Sequence, residues 1–176
     1  AFLHTGGRWA VRGLIAAGIA FWIAAGFSSN LRPFRRPAAY FTVATLACIG
    51  IVGLLKTLTN VHCPWDLAEF GGAFPYVPLL GERPAGLQSG QCFPAAHAGS
   101  GYALFTLYFV LRERTKLPAR LGFALGILTG IVFGIAQQSR GAHFVSHDLW
   151  SAFIAWMTSL TLYTFAFQGR LWESRL

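Results

Sequence analysis

The chain has 176 residues, of which 55% are hydrophobic and only 11% are charged, and its mean hydropathy is +0.51. This apolar share exceeds the usual share of a soluble domain and argues against an ordinary soluble globular fold. The formal net charge is +8, but the basic residues cluster between apolar runs, so the charge requires no nucleic-acid partner.

Uncharged runs of eighteen to twenty-one residues recur along the chain, at 13–31, 37–55, 94–111, 121–139 and 149–169. A bilayer core about 30 Å thick requires roughly twenty helical residues to cross it. The runs therefore predict an all-α, polytopic membrane helix bundle that forms one domain over residues 1–176. The predicted spans lie at about 9–29, 37–56, 94–111, 120–139 and 147–169.

The basic residues predict the orientation of these spans. With five spans, nine of the fourteen Lys and Arg residues fall on one side: Arg32, Arg35, Arg36, Arg112, Arg114, Lys116, Arg120, Arg170 and Arg175. The other side carries Arg8, Arg12, Lys56, Arg83 and Arg140. The positive-inside rule makes the first side cytoplasmic. The N-terminal end AFLHTGG then lies outside the cytoplasm, and we expect a further helix upstream of it.

A long segment at 56–93 separates the second and third runs on the outer side. It contains four prolines and five glycines, which exclude extended helix over most of its length. A loop of this length usually has a function, such as covering a site. Cys63 and Cys92 lie near its two ends in an oxidising compartment, so we predict a disulfide between them. Two free thiols near a site are the alternative.

Ionisable residues at the edges of the spans form three clusters, which the predicted topology brings to the outer face. They are Lys56 at the end of the second run, His97 at the start of the third, and Arg140, His143, His147 and Asp148 in the turn before the fifth. Such residues are costly in a membrane and usually functional. Two cations and the free N–H groups of a helix start favour a phosphate. A neutral histidine can attack phosphorus, and a second can protonate the departing oxygen.

The order of these residues resembles the type 2 phosphatidic acid phosphatase superfamily, which also contains vanadium haloperoxidases. The family pattern is Lys, six residues and Arg-Pro; then Pro-Ser-Gly-His; then Ser-Arg, five residues, His, three residues and Asp. Lys56 and Pro64 keep the first interval, and Pro94 and His97 keep the second. The resemblance runs from the second span to the fifth and implies a six-helix membrane domain whose first helix lies upstream of this chain.

The first two motifs depart from the family pattern at three positions. Cys63 stands where the pattern has Arg, and Ala95 and Ala96 replace its Ser and Gly. A side-chain phosphate donor is therefore missing from the second motif. His62 and Arg83 are candidates to compensate for the missing Arg.

The third motif departs in spacing. Only two residues separate Arg140 from His143, and Gln137 stands at the family's Arg interval. His147 lies four residues after His143, where the pattern has Asp, and Asp148 comes one position later. The stretch GAHFVSHD resembles the family's Gly-x-His-Phe-x-Ser-Asp with one residue inserted.

The resemblance implies a role for each catalytic candidate. His143 would be the nucleophile that forms a phosphohistidine, with His147 as its rival in a shifted register. His97 would be the general acid that protonates the leaving group. Asp148 would orient a histidine, as carboxylates do in catalytic triads. The alternatives are a hydrogen-bonded histidine at a helix start for His143, a helix-terminal cap for His97 and an ordinary helix N-terminal acid for Asp148.

The remaining candidates would bind the phosphate. Lys56 and Arg140 would hold its non-bridging oxygens and the charge that develops in the transition state. The backbone N–H groups around Ala95 and Ala96 would contribute at the start of the third helix. Either cation could instead be a residue that reaches from the membrane edge into the headgroup region.

The function predicted from these residues is a membrane lipid phosphatase. It would hydrolyse a phosphomonoester or pyrophosphate on a lipid head group at the extracytoplasmic (periplasmic) face of the inner cell membrane, with no cofactor. A polyprenyl pyrophosphate, lipid A, phosphatidylglycerol phosphate or phosphatidate would fit. The predicted partners are this lipid and the bilayer, without nucleic acid.

Other functions stay open at this point. A lipid phosphotransferase could use the same residues. A metal-dependent membrane hydrolase could use His143 and His147 as ligands, with His97 or Asp148 as a third. The chain lacks the HExxH glutamate, however, and two nearby cations oppose a metal. A non-enzymatic membrane protein is a further possibility. A channel or transporter is disfavoured because the charges cluster at one face and the span interiors hold none.

Overall fold

The structure is a computed structural model that describes residues 2–172, with residues 2–8 and Ala10 described by their backbone only. Two residues of the predicted charge distribution are affected: Arg175 lies outside the described residues, and so does the side chain of Arg8. Apart from an isolated bridge between Leu67 and Phe74, the described part of the chain is helices joined by loops.

The helices follow one another with short connections, except for one long loop before the third. In chain order they are α1 (Phe2–Phe27), α2 (Arg35–Leu58), α3 (Ala96–Tyr102), α4 (Thr106–Arg112), α5 (Lys116–Gln138) and α6 (Val145–Thr161). A 3-10 turn at Ala103–Phe105 joins α3 to α4, and a π-helical turn at Leu162–Ala166 extends α6. Asn60 adopts a left-handed conformation with φ 55° just after α2, which turns the chain into the long loop.

Among the residues that the structure describes, three helical segments are long and apolar enough to cross a bilayer: Arg32–Leu58, Lys116–Gln138 and Val145–Ala166. Their outward faces expose large apolar side chains, as lipid-facing helices do; Leu128 is 61% exposed and Phe153 is 55% exposed. The predicted all-α membrane helix bundle is confirmed. That α1 and the α3–α4 segment also span the membrane stays a prediction.

The bundle is held together by the close approach of α5 to α3 and α4. Four buried glycines recur at every fourth residue of α5, at Gly122, Gly126, Gly130 and Gly134. A Cβ on Gly130 would lie 2.2 Å from the Tyr102 ring, so only glycine allows this approach. Small residues at this spacing let membrane helices pack at backbone distance.

The connections that carry most of the basic residues meet at one end of the bundle. Arg36 donates a hydrogen bond to the Phe167 carbonyl at 2.9 Å. The guanidinium of Arg114 lies 4.0 Å from the centre of the Trp172 ring. Glu113 accepts the Leu171 N–H at 2.9 Å. The predicted cytoplasmic connections therefore share one end, and the histidine clusters lie at the other.

Candidate active site

Four ionisable side chains come together where three helices begin or end. Lys56 lies in the last turn of α2 and His97 in the first turn of α3. His143 precedes Phe144, the N-cap of α6, and His147 lies in the first turn of that helix. Both His143 and His147 lie within electrostatic range of Lys56, and His143 lies within range of His97.

The two histidines of the third cluster contact each other directly. The Nδ1 atom of His143 lies 3.4 Å from the Nδ1 atom of His147. Both rings are buried, with 7% of His143 and 4% of His147 exposed. The rings of Phe93 and Phe144 pack edge-on against His147, with centroids 5.3 Å and 5.4 Å away. These contacts fix the His147 ring and, through it, the Nδ1 side of His143.

The environment of His143 keeps its imidazole neutral. Burial, followed by the nearby Lys56, His147 and His97, lowers the pKa of His143 from 6.5 to about 3. The backbone of Cys92 opposes this shift. At neutral pH the ring therefore carries one proton and one lone pair, which is the form that can act as a nucleophile.

A buried serine ties the start of α3 to the start of α6. The Ser151 hydroxyl lies 3.0 Å from the carbonyl oxygen of Ala95 and 2.9 Å from that of His147. The Ala95 N–H donates to the same His147 carbonyl at 3.3 Å. These bonds hold His97 and His147 in a fixed relation, although their helices are far apart in the sequence.

Asp148 turns away from the histidines and towards α5. Its Oδ2 atom accepts a hydrogen bond from Gln138 Nε2 and lies against Gly134, where a Cβ would meet it at 2.2 Å. Its Oδ1 atom is buried and has no hydrogen-bond partner among the described residues. The carboxylate is therefore directed to Gln138, the last residue of α5 before the loop that carries His143.

Arg140 is exposed and lies over the outer loop. Its guanidinium is 5.9 Å from the centre of the Trp65 ring, and its Nη1 atom is 3.5 Å from Gln137 Oε1. The Trp65 N–H donates to the Gly141 carbonyl at 2.9 Å, which fixes the loop beside the turn. In this arrangement Arg140 contacts the loop, whereas Lys56 faces the histidines.

The outer loop folds back over the end of α2. The structure joins Cys63 to Cys92 in a disulfide, as predicted from the sequence. The Thr59 hydroxyl donates to the Phe93 carbonyl, and Arg83 Nη2 lies 3.4 Å from the Thr59 carbonyl. The other terminal nitrogen of Arg83, Nη1, is buried with no partner among the described residues. The loop thus brings a second cation to the helix end that carries Lys56.

The donor set does not resemble a metal centre. Among the side chains that the structure describes, no three His, Cys, Asp or Glu groups converge as a bound metal would require. The His143–His147 pair supplies two nitrogen atoms, and the nearby ammonium of Lys56 would repel a metal cation.

Comparison with known families assigns the chain to one of them. A family model described as the PAP2 superfamily matches residues 37–170. The chain belongs to the PAP2 superfamily. No curated protein and no solved structure matches it. The matched range contains Lys56, His97, Arg140 and His143, and membership in the superfamily indicates a phosphatase-type enzyme.

Several residues that shape the candidate site of this PAP2 protein were not predicted from the sequence. Ser151 and Gln138 make the hydrogen bonds that orient the helix ends. Ser151 is a lone polar residue among apolar neighbours, and Gln138 stands in a polar stretch with Gln137 and Ser139, so neither position indicates its partner. Phe93 and Phe144 enclose His147, but they are two of the sixteen phenylalanines in the chain, and nothing in the sequence distinguishes them. The four-residue glycine spacing in α5 was a readable signal, since small residues at this interval mark close helix contacts.

Proposed function

We propose that this PAP2 protein is a membrane lipid phosphatase that works through a phosphohistidine on His143. The observation that carries the proposal is the buried, neutral His143 ring within electrostatic range of the Lys56 ammonium and of His97. A neutral imidazole beside a fixed cation provides a nucleophile and a charge that attracts phosphate. A second histidine provides the proton that the leaving group needs.

The proposed reaction has two steps. The His143 Nε2 lone pair attacks phosphorus, the bond to the lipid oxygen breaks, and His97 protonates that oxygen. Water then attacks the phosphohistidine, the N–P bond breaks, and His97 takes the proton of the water. Lys56 neutralises the non-bridging oxygens in both steps, since such charge develops in each transition state. We propose that the Ala96 N–H group at the start of α3 also helps to bind the non-bridging oxygens of the phosphate.

The position of the residues at helix ends supports a lipid substrate. Lys56 lies in the last turn of one membrane-length segment, and His147 lies in the first turn of another. The ends of such segments lie at the boundary of the hydrocarbon, where lipid phosphates are found. We propose that the phosphate of a lipid reaches His143 while its chains stay in the bilayer. The predicted outer, extracytoplasmic side of the membrane is part of this proposal.

Phosphate release from a panel of lipid phosphates by the purified protein tests the proposal. We expect vanadate to inhibit release and EDTA to leave it unchanged. We expect His143→Ala to lower kcat roughly 10³-fold or more, because the nucleophile is lost. Lys56→Gln is expected to lower kcat/KM about 10²-fold. Arg120→Gln, which removes an exposed cation at the opposite end, is the control.

Two results would overturn the proposal. One is EDTA-sensitive release that vanadate does not inhibit, which would indicate a metal-dependent hydrolase. The other is a folded wild-type protein that releases phosphate from no lipid in the panel. Transfer of the phosphoryl group to a second lipid without release of inorganic phosphate would reassign the same site to a phosphotransferase.

A further inference from the structure

We propose that His147, and not Asp148, is the positioning residue of His143. In this arrangement His143 donates its Nδ1 proton to the Nδ1 lone pair of His147, which leaves the His143 Nε2 lone pair directed at the phosphate. The inference rests on the proposed function for its catalytic meaning. The hydrogen bond itself can be tested without any activity.

The geometry around the two rings carries this inference. The Nδ1 atoms of His143 and His147 are 3.4 Å apart in a buried site, where such a contact requires one donor and one acceptor. The edge-on packing of Phe93 and Phe144 holds the His147 ring in place. Its backbone carbonyl is fixed by Ser151 and by the Ala95 N–H.

The direction of Asp148 removes the carboxylate as the partner of His143, and the Cys92 backbone, which interacts with both histidine rings, is the remaining alternative acceptor. Its Oδ2 atom accepts from Gln138, and its carboxylate lies against Gly134 of α5. Among the described residues no hydrogen bond joins Asp148 to either histidine. His147 also lies four residues after His143, the interval at which the family pattern has Asp. In this chain the residue at that interval makes the contact, although its side chain is an imidazole.

The direction of the hydrogen bond decides which nitrogen can react. If His143 donates from Nδ1, its Nε2 atom carries the lone pair that attacks phosphorus. During the reaction the Nδ1 proton stays on His143, and the His147 lone pair stabilises the positive charge that the ring acquires when Nε2 bonds to phosphorus. If His147 were the donor, His143 would carry its proton at Nε2 and could not attack from there.

Substitutions at His147 test the positioning role. We expect His147→Leu to lower kcat about 10²-fold or more with little change in KM, because an unoriented imidazole spends time in the wrong tautomer. We expect His147→Asp to retain activity and to move the acid limb of the pH–kcat profile to higher pH, because a carboxylate favours the imidazolium form. The exposed neighbour Ser146→Ala is the control.

Other titratable and charged groups around His143 and His147 also influence the pH–kcat profile. Lys56 faces both rings from α2, His97 faces His143 from α3, and Asp148 follows His147 on α6. These groups are unchanged in the Ser146→Ala control. A shift that appears in His147→Asp and not in the control therefore reports the contact between residues 143 and 147.

Nitrogen NMR of the wild-type protein with ¹⁵N-labelled histidines tests the bond independently of turnover. The inference predicts, at neutral pH, a His143 ring protonated at Nδ1 and unprotonated at Nε2, and a His147 ring protonated at Nε2. A His143 ring protonated at Nε2 would overturn the inference, whether or not the enzyme hydrolyses lipid phosphates. Wild-type kcat in a folded His147→Leu variant would also overturn it, whereas an inactive wild type would refute the proposed function instead.

Discussion

At the scale of single residues, the site depends on a histidine that stays neutral in a cationic environment. Lys56 disfavours the imidazolium form of His143, and in the proposed mechanism it also attracts the substrate phosphate, so one charge would serve both binding and nucleophilicity. The types and positions of these residues could be predicted from the sequence because ionisable groups are rare in an apolar chain. The hydrogen-bond partner of each side chain could not be predicted. His147 and Asp148 are adjacent in the sequence, and the spacing of the residues does not decide which of them contacts His143.

The depressed pKa of His143 predicts how stability depends on pH. The folded protein holds this ring neutral down to about pH 3, whereas the unfolded chain protonates it near 6.5. The unfolded state therefore binds more protons below pH 6.5, and stability falls as the pH falls through that window. We expect the thermal unfolding midpoint in detergent to decrease from pH 7 to pH 4, with a smaller decrease in His143→Gln. Equal slopes for both proteins would contradict this assignment.

At the scale of elements, the packing of α5 positions both the bundle and the site. Its glycines let α3 approach from one side and Asp148 of α6 from another, so one stripe of small residues sets the distance between the elements that carry His97 and His147. The helices themselves were predictable, because long uncharged runs have few alternatives in a membrane. The details of their contacts depend on side-chain shapes that hydropathy does not describe.

A larger residue in this stripe should separate the helices. We expect Gly130→Ala to destabilise the protein by about 1–3 kcal/mol, because its Cβ would overlap the Tyr102 ring. Gly50→Ala in α2 is the matched control, since nothing lies within 4 Å of its Cβ position. Thermal unfolding of the two variants in the same detergent checks the difference. A Gly130→Ala protein as stable as Gly50→Ala would show that α5 does not pack as described.

The disulfide is a further feature at the scale of elements, and it connects the outer loop to the candidate site. Cys63 and Cys92 are 29 residues apart, and closing a loop of this length is worth about 3–4 kcal/mol in the chain-entropy model. We expect the Cys63→Ser/Cys92→Ser double variant to unfold at a lower temperature and to migrate differently on non-reducing gels. Cys48→Ser, at a buried cysteine outside the bridge, controls for the loss of a thiol. Identical migration of the double variant and wild type would contradict the bridge.

At the scale of the whole molecule, the bundle has two chemically different ends. One end contains Arg36, Arg114 and the turn that follows α6, and the other end contains Lys56 and the histidines of the candidate site. The alternation of basic connections in the sequence was enough to predict this separation, because each span reverses the side of the next connection. The orientation of the ends relative to the cytoplasm follows only from the positive-inside rule.

Labelling from one side of the membrane tests that orientation. Ser89→Cys in the outer loop and Ser29→Cys in the connection after α1 are both exposed positions. We expect a membrane-impermeant maleimide added to intact cells to label Ser89→Cys and to label Ser29→Cys only after lysis. The opposite pattern would reverse the orientation and would place the site on the cytoplasmic side.

The central claim is that His143 carries the phosphoryl group during turnover, and trapping that intermediate tests it most directly. The wild-type protein would be quenched with alkali during hydrolysis of a lipid labelled with ³²P at its phosphate, and the labelled peptide would be mapped. We predict an alkali-stable, acid-labile phosphoryl group on His143 that is absent from His143→Ala. Label on a different residue, or rapid turnover with no labelled protein, would contradict the account.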